Sequence, residues 1–80
     1  MTTRTAILKV MCYGTISEYD AMRMRKRLES CHYVADVRWE AMSNFAFFSA
    51  ALTDVVSVNE LSLLQTLLQN MVGVEIVVTI

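Results

Sequence analysis

Three groups of side chains in this chain could do chemistry. Cys12, Cys31 and His32 are the residues able to ligate a soft metal or act as nucleophiles. Arg23, Lys26 and Arg27, within the run Arg23-Met24-Arg25-Lys26-Arg27, could hold an anion or an acidic partner. Phe45 and Phe47 alternate within Asn44–Thr53 (N-F-A-F-F-S-A-A-L-T), where flat rings could stack on a base or pack into another protein. A glycine-rich phosphate loop, a Ser/His/Asp set and a carboxylate pair in a plausible cleft are all missing from the sequence, so neither an enzyme nor a cofactor is expected.

The elements that position these groups are readable from periodicity. Thr5–Tyr13 reads as a first strand with Leu8, Val10 and Cys12 on one face and Ile7, Lys9, Met11 and Tyr13 on the other. Gly14 breaks it. Ser17 caps a helix over Glu18–Cys31, with Ala21, Met24, Leu28 and Cys31 on its apolar stripe and the basic run on the opposite side. His32 is expected to close that helix at its negative end. Val34–Glu40 reads as a second strand, with Ala35, Val37 and Trp39 sharing a face, and Ala41–Ser43 as the turn into Asn44–Thr53. In that third strand Phe45, Phe47, Ser49 and Ala51 point one way, and Ala46, Phe48, Ala50 and Leu52 the other.

A second helix starts at the capping box Ser57/Glu60, with Val56 and Leu61 as its staple. Leu61, Leu64, Leu67, Leu68 and Met71 form its apolar stripe, while Asn59, Ser62, Thr66, Gln69 and Asn70 face water. Gly73 suits its stop. Val74–Ile80 is the last strand.

The order β-α-β-β-α-β is a split βαβ, so the expected fold is α+β and ferredoxin-like, one domain over residues 1–80. Its four-stranded antiparallel sheet would run 4-1-3-2, with both helices on one face. The other face would carry Ile7, Lys9, Met11, Tyr13, Phe45 and Phe47, and the last strand would be an edge. That strand, V-E-I-V-V-T-I, carries one charge and no proline, so it reads as an edge open to pairing, with Val77 beside the partner.

The same geometry separates the thiols. Cys12 ends the first strand, and Cys31 lies at the far end of a helix about 21 Å long, well beyond disulfide reach. Both read as small buried hydrophobes, with no metal expected.

Three families share this plan. Ser43–Ala50 (S-N-F-A-F-F-S-A) resembles the RNP1 octapeptide of RNA-recognition motifs, with Phe45 and Phe47 at the two base-stacking aromatics. Ser43 stands at that motif's basic position, Asn44 at its glycine, Ala50 at its last aromatic, and Lys9 at the aromatic of RNP2. The resemblance implies single-stranded RNA as a ligand of Phe45 and Phe47. The topology is also similar to that of heavy-metal-associated domains, but Met11-Cys12-Tyr13-Gly14-Thr15 has one cysteine where their loop has C-x-x-C. Acylphosphatases share the plan too, and their arginine-bearing phosphate loop is absent here.

Composition limits the partners. For 9.1 kDa about 63% of the unfolded surface is buried on folding, yet 55% of the residues are apolar, so some apolar surface is expected in an interface. The net charge is −1, with all seven basic residues and five acidic ones in the first forty positions and three acidic ones in the last forty. That is short of a strongly basic nucleic-acid binder. The sequence shows neither a membrane span nor a signal peptide, and the cysteine usage suits a reduced, cytoplasmic setting. The expected function is a non-enzymatic protein-binding module. It would be a homodimer through the open sheet face, the last strand or both, and serve as an adaptor or inhibitor. It is similar in size to phage-encoded inhibitors of host defence such as anti-CRISPR proteins. RNA binding through Phe45 and Phe47 is the alternative, and no small-molecule substrate is expected.

Overall fold

The computed structural model describes residues 6–41 and 45–80. Strands β1 (Ile7–Tyr13), β2 (Val34–Ala41), β3 (Ala46–Leu52) and β4 (Glu75–Thr79) alternate with helices α1 (Glu18–Glu29) and α2 (Val58–Val72) in the order β1-α1-β2-β3-α2-β4. The sheet is antiparallel throughout and ordered β2-β3-β1-β4, the expected 4-1-3-2 of a ferredoxin-like α+β fold. The turn expected at Ala41–Ser43, and the Ser43 and Asn44 positions of the RNP1-like stretch, lie mostly outside the described residues.

One face of the sheet makes the core. Leu8, Val10 and Cys12 of β1 and Ala46, Phe48, Ala50 and Leu52 of β3 are buried against Met24 and Leu28 of α1 and Leu64 and Leu68 of α2. Trp39 of β2 lies against Phe48 with ring centroids 4.4 Å apart. The period-two reading of β1 and β3 therefore holds residue for residue.

Each helix is started by a serine. The Ser17 hydroxyl accepts from the Asp20 amide at 3.1 Å, and that of Ser57 from the Glu60 amide at 3.2 Å. These bonds satisfy donors that the first helical turn leaves free. The end of α1 differs from the expectation, since the cap is Ser30 and His32 lies beyond it. The Ser30 hydroxyl donates to the Arg27 carbonyl at 2.6 Å, a side-chain stop that sequence periodicity does not show. The α2 end is Gly73, left-handed at φ 70°, where a side chain would be strained. No cation lies in the last turn of α2, and Arg23 of α1 supplies one, donating to the Met71 carbonyl at 3.4 Å.

Strand β2 departs from simple alternation. Ala35 pairs with Ala51 and Arg38 with Ser49, so Asp36 and Val37 together oppose a single residue of β3. This is a β-bulge, and Asp36 sits at its left-handed position with φ 54°. The bulge corrects the expected grouping of Ala35 with Val37 and Trp39. Ala35 lies on the open side with Arg38 and Glu40, while Val34, opposite Leu52, joins Val37 and Trp39 on the core side.

The β4 edge also differs from its sequence reading. The Val78 amide donates to the Gln65 side-chain oxygen at 2.9 Å, and the Ile76 amide to that of Gln69 at 3.4 Å. Four helical residues rise about 6 Å and two strand residues about 6.8 Å, so an i,i+4 pair of glutamines can meet an i,i+2 pair of strand amides. The outward amides of β4 are thus occupied from the helix layer, and Gln69 is more than the water-facing residue that was expected. The other edge, β2, is guarded by its bulge and by Asp36, Arg38 and Glu40.

Replacing Gln65 or Gln69 by alanine is expected to lower stability by about 1 kcal/mol each, measured by urea unfolding. The double variant should also gain concentration-dependent light scattering as the β4 edge opens. At the bulge, Asp36→Gly should be neutral or stabilising, whereas Asp36→Val should cost about 1–2 kcal/mol in thermal unfolding.

Candidate interaction surface

Both helices cover one side of the sheet, and the other side is open. The ladders set its side chains in rows across all four strands. Glu40, Phe47, Met11 and Val77 form one row, and Arg38, Ser49, Lys9 and Thr79 the next. Tyr13 and Glu75 are paired at one end of the face, and Ala35, Ala51 and Ile7 are aligned at the other. Phe45 precedes β3 on the same side, its ring 6.4 Å from that of Phe47 with planes 23° apart. The near-parallel stacking follows from i,i+2 spacing on an extended chain, about 6.8 Å.

The result is an apolar half, running from Phe45 and Tyr13 to the row Phe47, Met11 and Val77, beside a polar row of Arg38, Ser49, Lys9 and Thr79. Ile7 and Tyr13 are 51% and 52% exposed, and Met11, Phe45, Phe47 and Val77 are half-buried. Lys9 and Arg38 are balanced by Glu40 and Glu75, so the face has no charge excess. Such a surface can pack against apolar groups and steer their orientation by charges of both signs.

All seven residues expected to meet a partner (Ile7, Lys9, Met11, Tyr13, Phe45, Phe47 and Val77) therefore share this face. Arg23, Lys26 and Arg27 do not, since they lie on α1 in the opposite layer. Arg23 is engaged locally, 3.3 Å from the Asp20 carboxylate and over the Tyr19 ring at 5.7 Å. Sequence reasoning missed Arg38, Glu40 and Glu75 as charges of this face, although the alternation Arg38-Trp39-Glu40 carried that signal. It also missed Leu63, which is 70% exposed on α2.

The cysteines are both free. Cys12 is buried on the core side of β1, where burial pushes its thiol up to about 11. Cys31 is half-buried, its sulfur 3.6 Å from the Arg27 carbonyl. Nearby Tyr33 is buried, which pushes its phenol up to about 12, and its contact with Cys31 adds to the rise. Among the described residues no three His, Cys, Asp or Glu side chains gather as a metal site would require.

Fold and surface together define a ferredoxin-like α+β domain with one covered and one open sheet face. No protein-family model matches the chain, and neither the curated proteins nor the solved structures include a significant match to it. Among the described residues no helix is long and apolar enough to cross a membrane.

Folding holds Cys12 and Tyr33 protonated at pH values where the unfolded chain ionises them. Their contribution to stability is thus complete below about pH 9 and is lost as pH rises through 11 to 12, by about 2–3 kcal/mol for Cys12. Urea unfolding over a pH series should show this fall, and Cys12→Ala should remove its lower-pH part. In the native protein an aromatic disulfide reagent should titrate Cys31 well before Cys12.

Proposed function

We propose that this protein is a non-catalytic protein-binding module that pairs with a second copy of itself through the open sheet face. The observation that carries this reading is the row Phe47, Met11 and Val77, flanked by Phe45 and Tyr13 and facing away from both helices. Two such faces stacked about 10 Å apart would interdigitate these side chains and remove them from water. A two-fold axis running along the strands, between β3 and β1, would lay Phe47 of each copy over Met11 of the other, making the contact self-complementary. Association through the edges is disfavoured, because the β4 amides are occupied and β2 is bulged and charged.

A dimer of this kind suits an adaptor or an inhibitor, anti-CRISPR proteins among them, since it offers surfaces and no reaction centre. Its free thiols suit a cytoplasmic compartment. The near-parallel Phe45 and Phe47 rings support a second reading, in which single-stranded RNA stacks on the face. The balanced charge there weighs against it, because phosphate contacts dominate nucleic-acid affinity.

Sedimentation velocity over a concentration series should show a monomer–dimer equilibrium. Met11→Glu and Phe47→Glu should each yield monomer with unchanged circular dichroism. A wild type that stays strictly monomeric at high concentration sinks the self-pairing reading. Titration with mixed single-stranded RNA at low salt, with Phe45→Ala and Phe47→Ala as controls, should show no binding; binding lost in those variants would establish the second reading instead.

A further inference from the structure

The helix layer carries a second surface that the open sheet face does not use. Arg23 reaches the C-terminal turn of α2, and Arg27 lies with Glu60 of its first turn, so the two helices run antiparallel. A groove runs between them. One part is lined by Arg23, Arg27, Leu63, Leu67 and Met71, and the other by Arg27, Tyr33, Glu60, Leu63 and Leu67. Arg27, Leu63 and Leu67 belong to both parts, so the groove is continuous along the helix pair.

Its walls differ in chemistry. Leu63, Leu67 and Met71, each four residues on from the last, form an apolar stripe beside the buried one of Leu64 and Leu68. On the α1 side Arg23 and Arg27, also four apart, line up about 6 Å from each other along the axis. On the α2 side Thr66 and Asn70 are polar and uncharged. Among the described residues neither Arg27 nor Lys26 has an ion-pair partner, whereas Arg25 is paired with Glu29 at 3.6 Å and Arg23 with Asp20 at 3.3 Å. The groove therefore has an apolar floor and one cationic wall, with a single carboxylate, Glu60, at its end.

We infer that this groove docks an acidic amphipathic segment of a partner protein, with apolar side chains on Leu63, Leu67 and Met71 and carboxylates on Arg27 and Arg23. An i,i+4 repeat on both walls matches the repeat of a helical ligand laid along the groove. Guanidinium groups bind carboxylates through paired N–H donors and gain strength where water is excluded. A polyphosphate would leave the leucine floor unused. This inference stands apart from self-pairing, because it uses other residues on the other layer.

The probe is a fluorescein-labelled synthetic helix with leucines on one face flanked by glutamates, paired with a control in which lysines replace the glutamates. Fluorescence anisotropy should show the glutamate peptide binding the full chain and the lysine peptide binding at least about tenfold more weakly. Leu63→Asp and Arg27→Glu should each weaken the glutamate peptide by about tenfold or more, and Arg27→Glu should improve the lysine peptide. Leu63 and Arg27 are exposed, so both variants should keep the native melting transition. Amide shifts in 1H–15N spectra should map to α1 and α2. Equal binding of the two peptides, binding of neither, or shifts confined to the sheet would each overturn the inference. Loss of peptide binding in Met11→Glu with Leu63→Asp unaffected would assign the peptide to the sheet face instead.

Discussion

The structure depends on one shortage: the sheet has two apolar faces and the chain has helices for one. In β3 the two faces are unlike. The covered side alternates small and large, with Ala46 and Ala50 on either side of Phe48, all of them buried in the core, where the Phe48 ring packs against Trp39. The open side places Phe47 and Phe45 where no helix follows. Swapping the faces would set two rings against the helices and strand Phe48 and Leu52 outside. Packing of the covered side thus decides which aromatics are left out, and the exposure of Phe45 and Phe47 is a consequence of how the core is filled.

An open apolar face makes control of the sheet edges more important. Exposed edges and an exposed greasy face would together favour open-ended stacking, whereas closed edges leave one surface and permit a closed pair. Here the edges are closed by different means. On β2 a bulge with left-handed Asp36 interrupts the ladder, and charges follow it. On β4, too short and apolar to protect itself, two glutamines of α2 take the outward amides. The same glutamines tie the last strand to the helix before it, so edge protection and the docking of β4 are one interaction.

What could be read in the sequence follows the range of the forces involved. The strand periods, the serine caps and Gly73 are local, and each is written in residues a few positions apart. The topology followed from them, because βαββαβ has few ways to close. The bulge was not legible, since its left-handed residue is an aspartate within a run that reads as plain alternation. The glutamine clamp was not legible either, because Gln65 and Gln69 on a polar helix face look like solubilising residues until β4 lies beside them. For the same reason V-E-I-V-V-T-I read as an unguarded edge. The open-face residues of β1 and β3 were legible because one register settles them all. The groove was not, because Leu63 belongs to no single stripe and matters only once α1 stands opposite.

The two surfaces divide the chemistry of the chain between opposite layers. The open face is apolar with balanced charge, which suits a contact that must be complementary to itself, because any excess of one sign would repel its own copy. The groove is apolar with a cationic wall, which suits a different molecule, because a copy would bring the same sign. Phe48, Leu8, Met24 and Leu68 lie between them, fully buried. A core packed to that density holds both surfaces rigidly, and residues that share no contacts contribute nearly additively. If both surfaces are used, pairing through the sheet leaves each groove on the outside of the dimer, and two grooves presented by one rigid body gain avidity for any partner that carries the acidic segment twice.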